Sequence, residues 1–160
     1  MRAATRVAAV SLSAPDRLAL SDLVHRYAAA VDDQDVQTVL GLFVADGELV
    51  LPEPPDVLTP VGRHQGPDAV AAALAAAINV GRTHHAIDSE VYTSDSNPDR
   101  AQGRIAATAH HWSRRDEGIV DLVWYLRYDD EYVRSESGWL LVRRALTIDA
   151  IETRPARRLR

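Results

Sequence analysis

The 160-residue chain has no cysteine and no lysine, so all 18 of its basic Lys/Arg residues are arginine. The first absence excludes disulfides, thiolate metal sites and a cysteine nucleophile. The second excludes a Schiff base on a side-chain amine. No apolar run approaches the roughly 20 residues that span a bilayer. A net charge of -5 supplies neither a basic face for nucleic acid nor a polybasic membrane anchor. Glycine-rich phosphate loops, dinucleotide fingerprints, nucleophile elbows and HExxH helices are all missing. The expectation is a cytoplasmic protein that uses no cofactor and binds neither nucleic acid nor membrane.

What remains is the composition of a soluble globular domain, with 46% hydrophobic and 26% charged residues in a length that suits one core. Residues 1–15, "MRAATRVAAVSLSAP", have a short apolar stretch broken by serines; they read as a disordered tail rather than a secretory signal. Residues 153–160 read as a basic C-terminal tail, which leaves 16–152 as the domain.

From Asp16 to Gln34, Leu20, Leu23, Val24, Tyr27 and Val31 recur at three- and four-residue intervals, the spacing of one apolar helical face. Asp35 suits the N-cap of a second, short helix, "VQTVLGLF". A strand in "ADGELVL" and a proline-dense loop, "PEPPDVLTP", follow. "GPDAVAAALAAAINVG" opens with Pro67 and stops at Gly81, which predicts a third helix. Four strands then follow, "RTHHAIDSEVYT", "RAQGRIAATAHHWS", "IVDLVWYLRYDDEYVR" and "WLLVRRALTIDAI", joined by turn-forming segments. Helices first and strands second predict an α+β fold: a curved antiparallel sheet wrapped around three helices, shaped as a cone with an open mouth.

Neighbouring residues on a strand point to opposite faces, so "THHAID" divides its two histidines. His85 shares a face with Ile87 and Val91, whereas His84 shares one with Asp88, Glu90 and Tyr92, which turns His85 inward. "AHHW" is ambiguous, because alanines occupy both faces. Arg143 and Arg144 are likewise not separated by parity. Six histidines with nearby aspartates suggest a two-histidine, one-carboxylate metal site, but their spacing matches no metal motif and no metal is expected.

The element order and the strings "YAAAVDDQDVQTVLGLFVADGEL", "GRHQGPDAV", "THHAID", "LRYDDEYVR" and "GWLLVRR" resemble the SnoaL-like branch of the nuclear transport factor 2-like superfamily. The resemblance runs from about residue 16 to about residue 150. It implies the cone fold, which hosts dehydratases, dehydrochlorinases, isomerases, polyketide cyclases and non-catalytic binding modules, so fold alone does not decide activity. The nearest local match is to the dehydratase and dehydrochlorinase group, whose catalytic Asp–His dyad falls on Asp32 and His85. That resemblance also implies a substrate-orienting histidine, placed on His110, and an arginine, placed on Arg144. The lysine of the dehydrochlorinase falls on Tyr27, which speaks against chloride elimination. Trp112 and Trp124 complete the expected substrate-binding set, although aromatic residues in a sheet are commonly plain core.

Together these readings predict a cofactor-independent dehydratase, cyclase or isomerase of natural-product metabolism. It would act on a small hydrophobic ring-bearing or polyketide-like substrate, with Asp32 supporting His85 as general base. The competing reading is a binding or assembly module of the same shape with no turnover. A homodimer formed through the outer face of the sheet is expected from the resemblance.

Overall fold

A computed structural model describes residues 12–77, 81–94 and 96–159. The first helix, α1, spans Ala14–Asp32; Ser13 caps it by accepting the N–H of Asp16, and Pro15 sits in the first turn, where a missing N–H costs nothing. The predicted stripe of Leu20, Leu23, Val24, Tyr27 and Val31 is buried. Residues 1–11 of the expected tail lie outside the described residues. Its last part is structural, since Leu12 is buried and Ser13 to Pro15 begin the helix. Asp16 anchors that end to the sheet, accepting from Trp139 Nε1 at 3.2 Å and pairing with Arg134 at 2.8 Å.

Gln34 takes a left-handed φ of 58° between α1 and the short helix α2, Val36–Leu40. Asp35 caps α2 through the N–H of Thr38. Two strands, β1 (Phe43–Glu53) and β2 (Val57–Gln65), form a hairpin, so the proline-dense segment is a turn flanked by ladder rather than a continuous loop. Pro60 is tolerated because β2 is an edge strand, where one side of the backbone needs no partner. Helix α3, Pro67–Ala77, leads to β3 (Arg82–Thr93), β4 (Arg100–Arg115), β5 (Gly118–Ser135) and β6 (Gly138–Ala156). Gly118 and Gly138 open the last two strands with φ values of 131° and 119°, a region that side chains other than glycine rarely enter.

The six strands form one open, curved sheet in the order β2-β1-β6-β5-β4-β3. It is mixed and not wholly antiparallel, because β1 runs parallel to β6. That pairing joins segments nearly a hundred residues apart, through the helical and hairpin crossover between them. The C-terminal segment is also not a free tail up to residue 156: Thr153, Arg154, Pro155 and Ala156 pair with β5. The three helices fill the concave side, where Leu20, Val24, Val70 and Leu74 pack on Leu49, Ile105, Leu126, Leu141 and Ile148 in one core.

A bulge in β3 changes the facing of its second half. The β3–β4 register slips between Ile87 and Ser89, so that Glu90 and Tyr92, rather than Val91, continue the inner face of His85 and Ile87. Tyr92 is accordingly buried and Val91 exposed. Simple alternation therefore holds only from Arg82 to the bulge.

Candidate functional site

The concave face closes on α1 and α3 around a cavity of about 530 Å³. Its floor carries Tyr27 of α1 and, from the sheet, Thr83, His85, His111, Trp124 and Tyr128; the rest is largely apolar, including Val31, Leu51, Leu74, Leu126 and Leu146. This is the size and character of a small-molecule site.

Asp32 closes α1 and turns its carboxylate onto β3. Its Oδ1 accepts from His85 Nδ1 at 2.7 Å and from the Thr83 hydroxyl at 2.9 Å, while Oδ2 accepts the backbone N–H of His85 at 2.8 Å. Burial disfavours the ionised carboxyl, yet the hydrogen bonds from His85 and Thr83 outweigh it and hold Asp32 below the usual carboxylate range. An ionised carboxylate only accepts, so His85 Nδ1 carries the hydrogen, and in the neutral ring the lone pair falls on Nε2. The His85 side chain is 9% exposed, against 60% for His84, whose Nδ1 lies 3.7 Å from Asp32 Oδ2.

The second histidine pair is reversed from expectation. His111, not His110, lines the cavity, with its ring 6.1 Å from that of His85 and 4.4 Å from that of Trp124. His111 Nδ1 donates to the carbonyl of Leu122 at 3.0 Å, and burial pushes its pKa down. The ring is thus held neutral, with Nε2 as an acceptor. His110 occupies the opposite face, where it donates to Asp121 at 2.8 Å and stacks on Trp112 with centroids 5.1 Å apart. Trp112 is therefore also absent from the cavity wall. Sequence parity could not choose because Ala107 and Ala109 face the core with only methyl groups, giving no apolar contrast.

Arg144 is a further correction. It faces inward, as Arg143 does not, but it lies beneath the cavity wall and is fully buried in a bidentate pair with Asp130, at 2.9 and 2.6 Å. Tyr132 donates to the same carboxylate at 2.6 Å. The guanidinium packs against the rings of both Tyr27 and Tyr128, with Cζ 4.1 and 4.2 Å from their centroids. Burial favours the neutral arginine, but Asp130 keeps it charged. Burial also raises the pKa of both Tyr27 and Tyr128, so each hydroxyl on the cavity wall stays protonated and able to donate. Arg143 points outward to Glu48 at 3.1 Å.

His111, Thr83 and His64 line the cavity with no sequence signal that points them there; Tyr128 and Glu53 line it as well. Tyr128 was detectable, since it lies an even number of residues from Trp124 and therefore on its face. Among the described residues no cluster of three or more potential ligands could hold a metal ion. No helix among them is long and apolar enough to cross a membrane.

No curated protein matches the chain. Among solved structures, protein Kfla4162 of Kribbella flavida is 26% identical with a TM-score of 0.74, over 86% of this chain and 93% of that one. A Novosphingobium aromaticivorans protein provisionally assigned as a scytalone dehydratase is 20% identical, TM-score 0.72, over 91% and 93% of the two chains. A type 2 hexachlorocyclohexane dehydrochlorinase, LinA, is 17% identical, TM-score 0.73, over 92% and 97%. These last two likenesses show a shared fold. The profile of the SnoaL-like domain matches residues 13–145, and the chain belongs to the SnoaL-like family.

Proposed function

We infer that the protein is a cofactor-independent enzyme of the lyase or isomerase kind, acting by proton transfer on a small hydrophobic cyclic ketone or polyketide-like substrate. The observation that carries this reading is the Asp32–His85 pair, with Nδ1 held by a carboxylate and the opposite edge of the ring on an apolar cavity. His85 Nε2 takes a proton from a carbon next to a carbonyl. Asp32 stabilises the imidazolium, and the electron pair moves onto the carbonyl oxygen as an enolate. Tyr27 and Tyr128 donate to that oxygen. From the enolate, loss of a β-hydroxyl gives dehydration, reprotonation at another carbon gives isomerisation, and attack on a second carbonyl closes a ring. Dehydration or cyclisation in natural-product metabolism is the reading favoured, by a cytoplasmic homodimer.

The test isolates the first step. In D₂O the wild type should exchange the α-protons of 1-tetralone, followed by NMR, and His85→Ala should exchange them about 10²–10⁴-fold more slowly. Wild-type exchange no faster than buffer would leave a binding cone without turnover.

A second prediction concerns His111, whose free Nε2 can accept from a ligand hydroxyl. His111→Phe should weaken binding of 1-naphthol by roughly 3–10-fold, the net worth of one hydrogen bond, whereas His110→Phe should leave it unchanged. Calorimetric titration measures both, and equal losses would contradict the facing assigned to the pair.

A further inference from the structure

The sheet does not close, so its two free edges, β2 and β3, form facing sides of one cavity. His85 stands on β3. On β2 the cavity is lined by Gly62 and His64, and on the adjoining end of β1 by Glu53. Gly62 lies between them: a Cβ at this position would lie 3.5 Å from His64 Nε2 and from the Leu51 carbonyl oxygen, and 4.0 Å from Glu53 Oε1. The two polar atoms therefore border the same small volume. His85 and His111 have one nitrogen fixed by the protein, whereas neither His64 nor Glu53 has a hydrogen-bond or ion-pair partner among the described residues. Their neighbours on this wall, Leu51, Pro52 and Pro54, are apolar. His64, partly buried and unpartnered on an otherwise apolar wall opposite the base, is placed to serve a ligand, with the exposed Glu53 beside it at the mouth.

We propose that His64 is a second catalytic residue, which protonates the departing oxygen of the substrate while His85 removes the carbon-bound proton, with Glu53 beside it as a positioning residue. The proposal rests on the reading of His85 as a base and extends it to elimination of water. His85 Nε2 gains the α-proton, and the C–H electron pair becomes the new C=C bond. The C–O bond breaks towards oxygen, and the imidazolium of His64 gives its proton to that oxygen, releasing water. His64 ends neutral and His85 protonated; exchange with solvent at the mouth restores both. Because the groups stand on opposite walls, proton and hydroxyl leave from opposite faces of the ring, which one imidazole serving both steps cannot achieve.

The experiment compares two probes. 1-Tetralone has no leaving group and reports only α-proton exchange. 3-Hydroxy-1-tetralone loses water to give 1-naphthol, which is followed by fluorescence. For His64→Gln, dehydration should fall about 10²-fold, and at least tenfold more than exchange. Glu53→Gln should lower the dehydration-to-exchange ratio in the same direction but less. A His64→Gln ratio equal to that of the wild type overturns the proposal, as does equal loss of both reactions, which marks a structural role. Wild-type exchange without dehydration above the buffer rate also overturns it, while leaving His85 as the base. Wild-type exchange no faster than that of His85→Ala removes the base itself, and His64 as its acid falls with it.

Discussion

Arg144→Met should lower the stability of the protein by about 3–5 kcal/mol, the usual effect of leaving one half of a buried ion pair without its partner. Both side chains of the Arg144–Asp130 pair are 0% exposed. Removal of the guanidinium strands a carboxylate that then keeps, among the described residues, only the Tyr132 hydroxyl as a donor. It also removes the cation packed against the rings of Tyr27 and Tyr128, which stand 6.0 Å apart on the cavity wall. For a chain of this length the loss corresponds to a fall in melting temperature of roughly 6–20 °C. Chemical denaturation of Arg144→Met beside the double variant Arg144→Met/Asp130→Leu separates charge from packing, since replacing both partners by apolar groups should recover most of the loss. A single variant within 1 kcal/mol of the wild type would show that the pair is not desolvated as the structure has it.

That pair also shows where sequence reading stops. Leu20, Leu23, Val24, Tyr27 and Val31 reveal their helix because a 3.6-residue period is local, and Asp35, Pro67, Gly118 and Gly138 act on their own backbone or within one turn. Arg144 finds its partner only through the β5–β6 register, which sets Asp130 directly opposite it. The parallel β1–β6 pairing is equally non-local, and β2 is obscured by Pro60 and by a wall that mixes Gly62 and His64 with exposed Val61. His85 was correctly turned inward because it precedes the bulge; Glu90 and Tyr92 were misplaced because they follow it. In "AHHW" the small alanines hide the core face, so His111 had no local signature. Asp32 was found through resemblance, since a helix wheel places it merely at the border of the apolar stripe.

Asp32→Asn should slow α-proton exchange by about 10²–10⁴-fold while leaving the fold intact. The amide is nearly isosteric: its one oxygen can take the Oδ2 place and accept the backbone N–H of His85, while its NH₂ in the Oδ1 place donates to the Thr83 hydroxyl, so the end of α1 should stay against β3. What changes is the imidazole. A neutral amide does not stabilise the imidazolium, and if its NH₂ turns towards His85 it donates to Nδ1, which moves the ring hydrogen to Nε2 and removes the basic lone pair from the cavity. Stability should respond differently from rate. Because the Asp32 pKa is lowered in the folded state, its carboxylate stabilises the protein above the unfolded value of about 3.9 and loses that contribution as pH falls through the folded one. The stability gap between wild type and Asp32→Asn should therefore be open at pH 7 and narrow progressively at pH values below about 4. Exchange rates at pH 7 and denaturation midpoints across the acid range test the two statements separately. A variant that exchanges within threefold of the wild type would mean that His85 does not depend on its carboxylate, and a stability gap unchanged down to acid pH would mean that the bonds from His85 and Thr83 do not favour its ionised form.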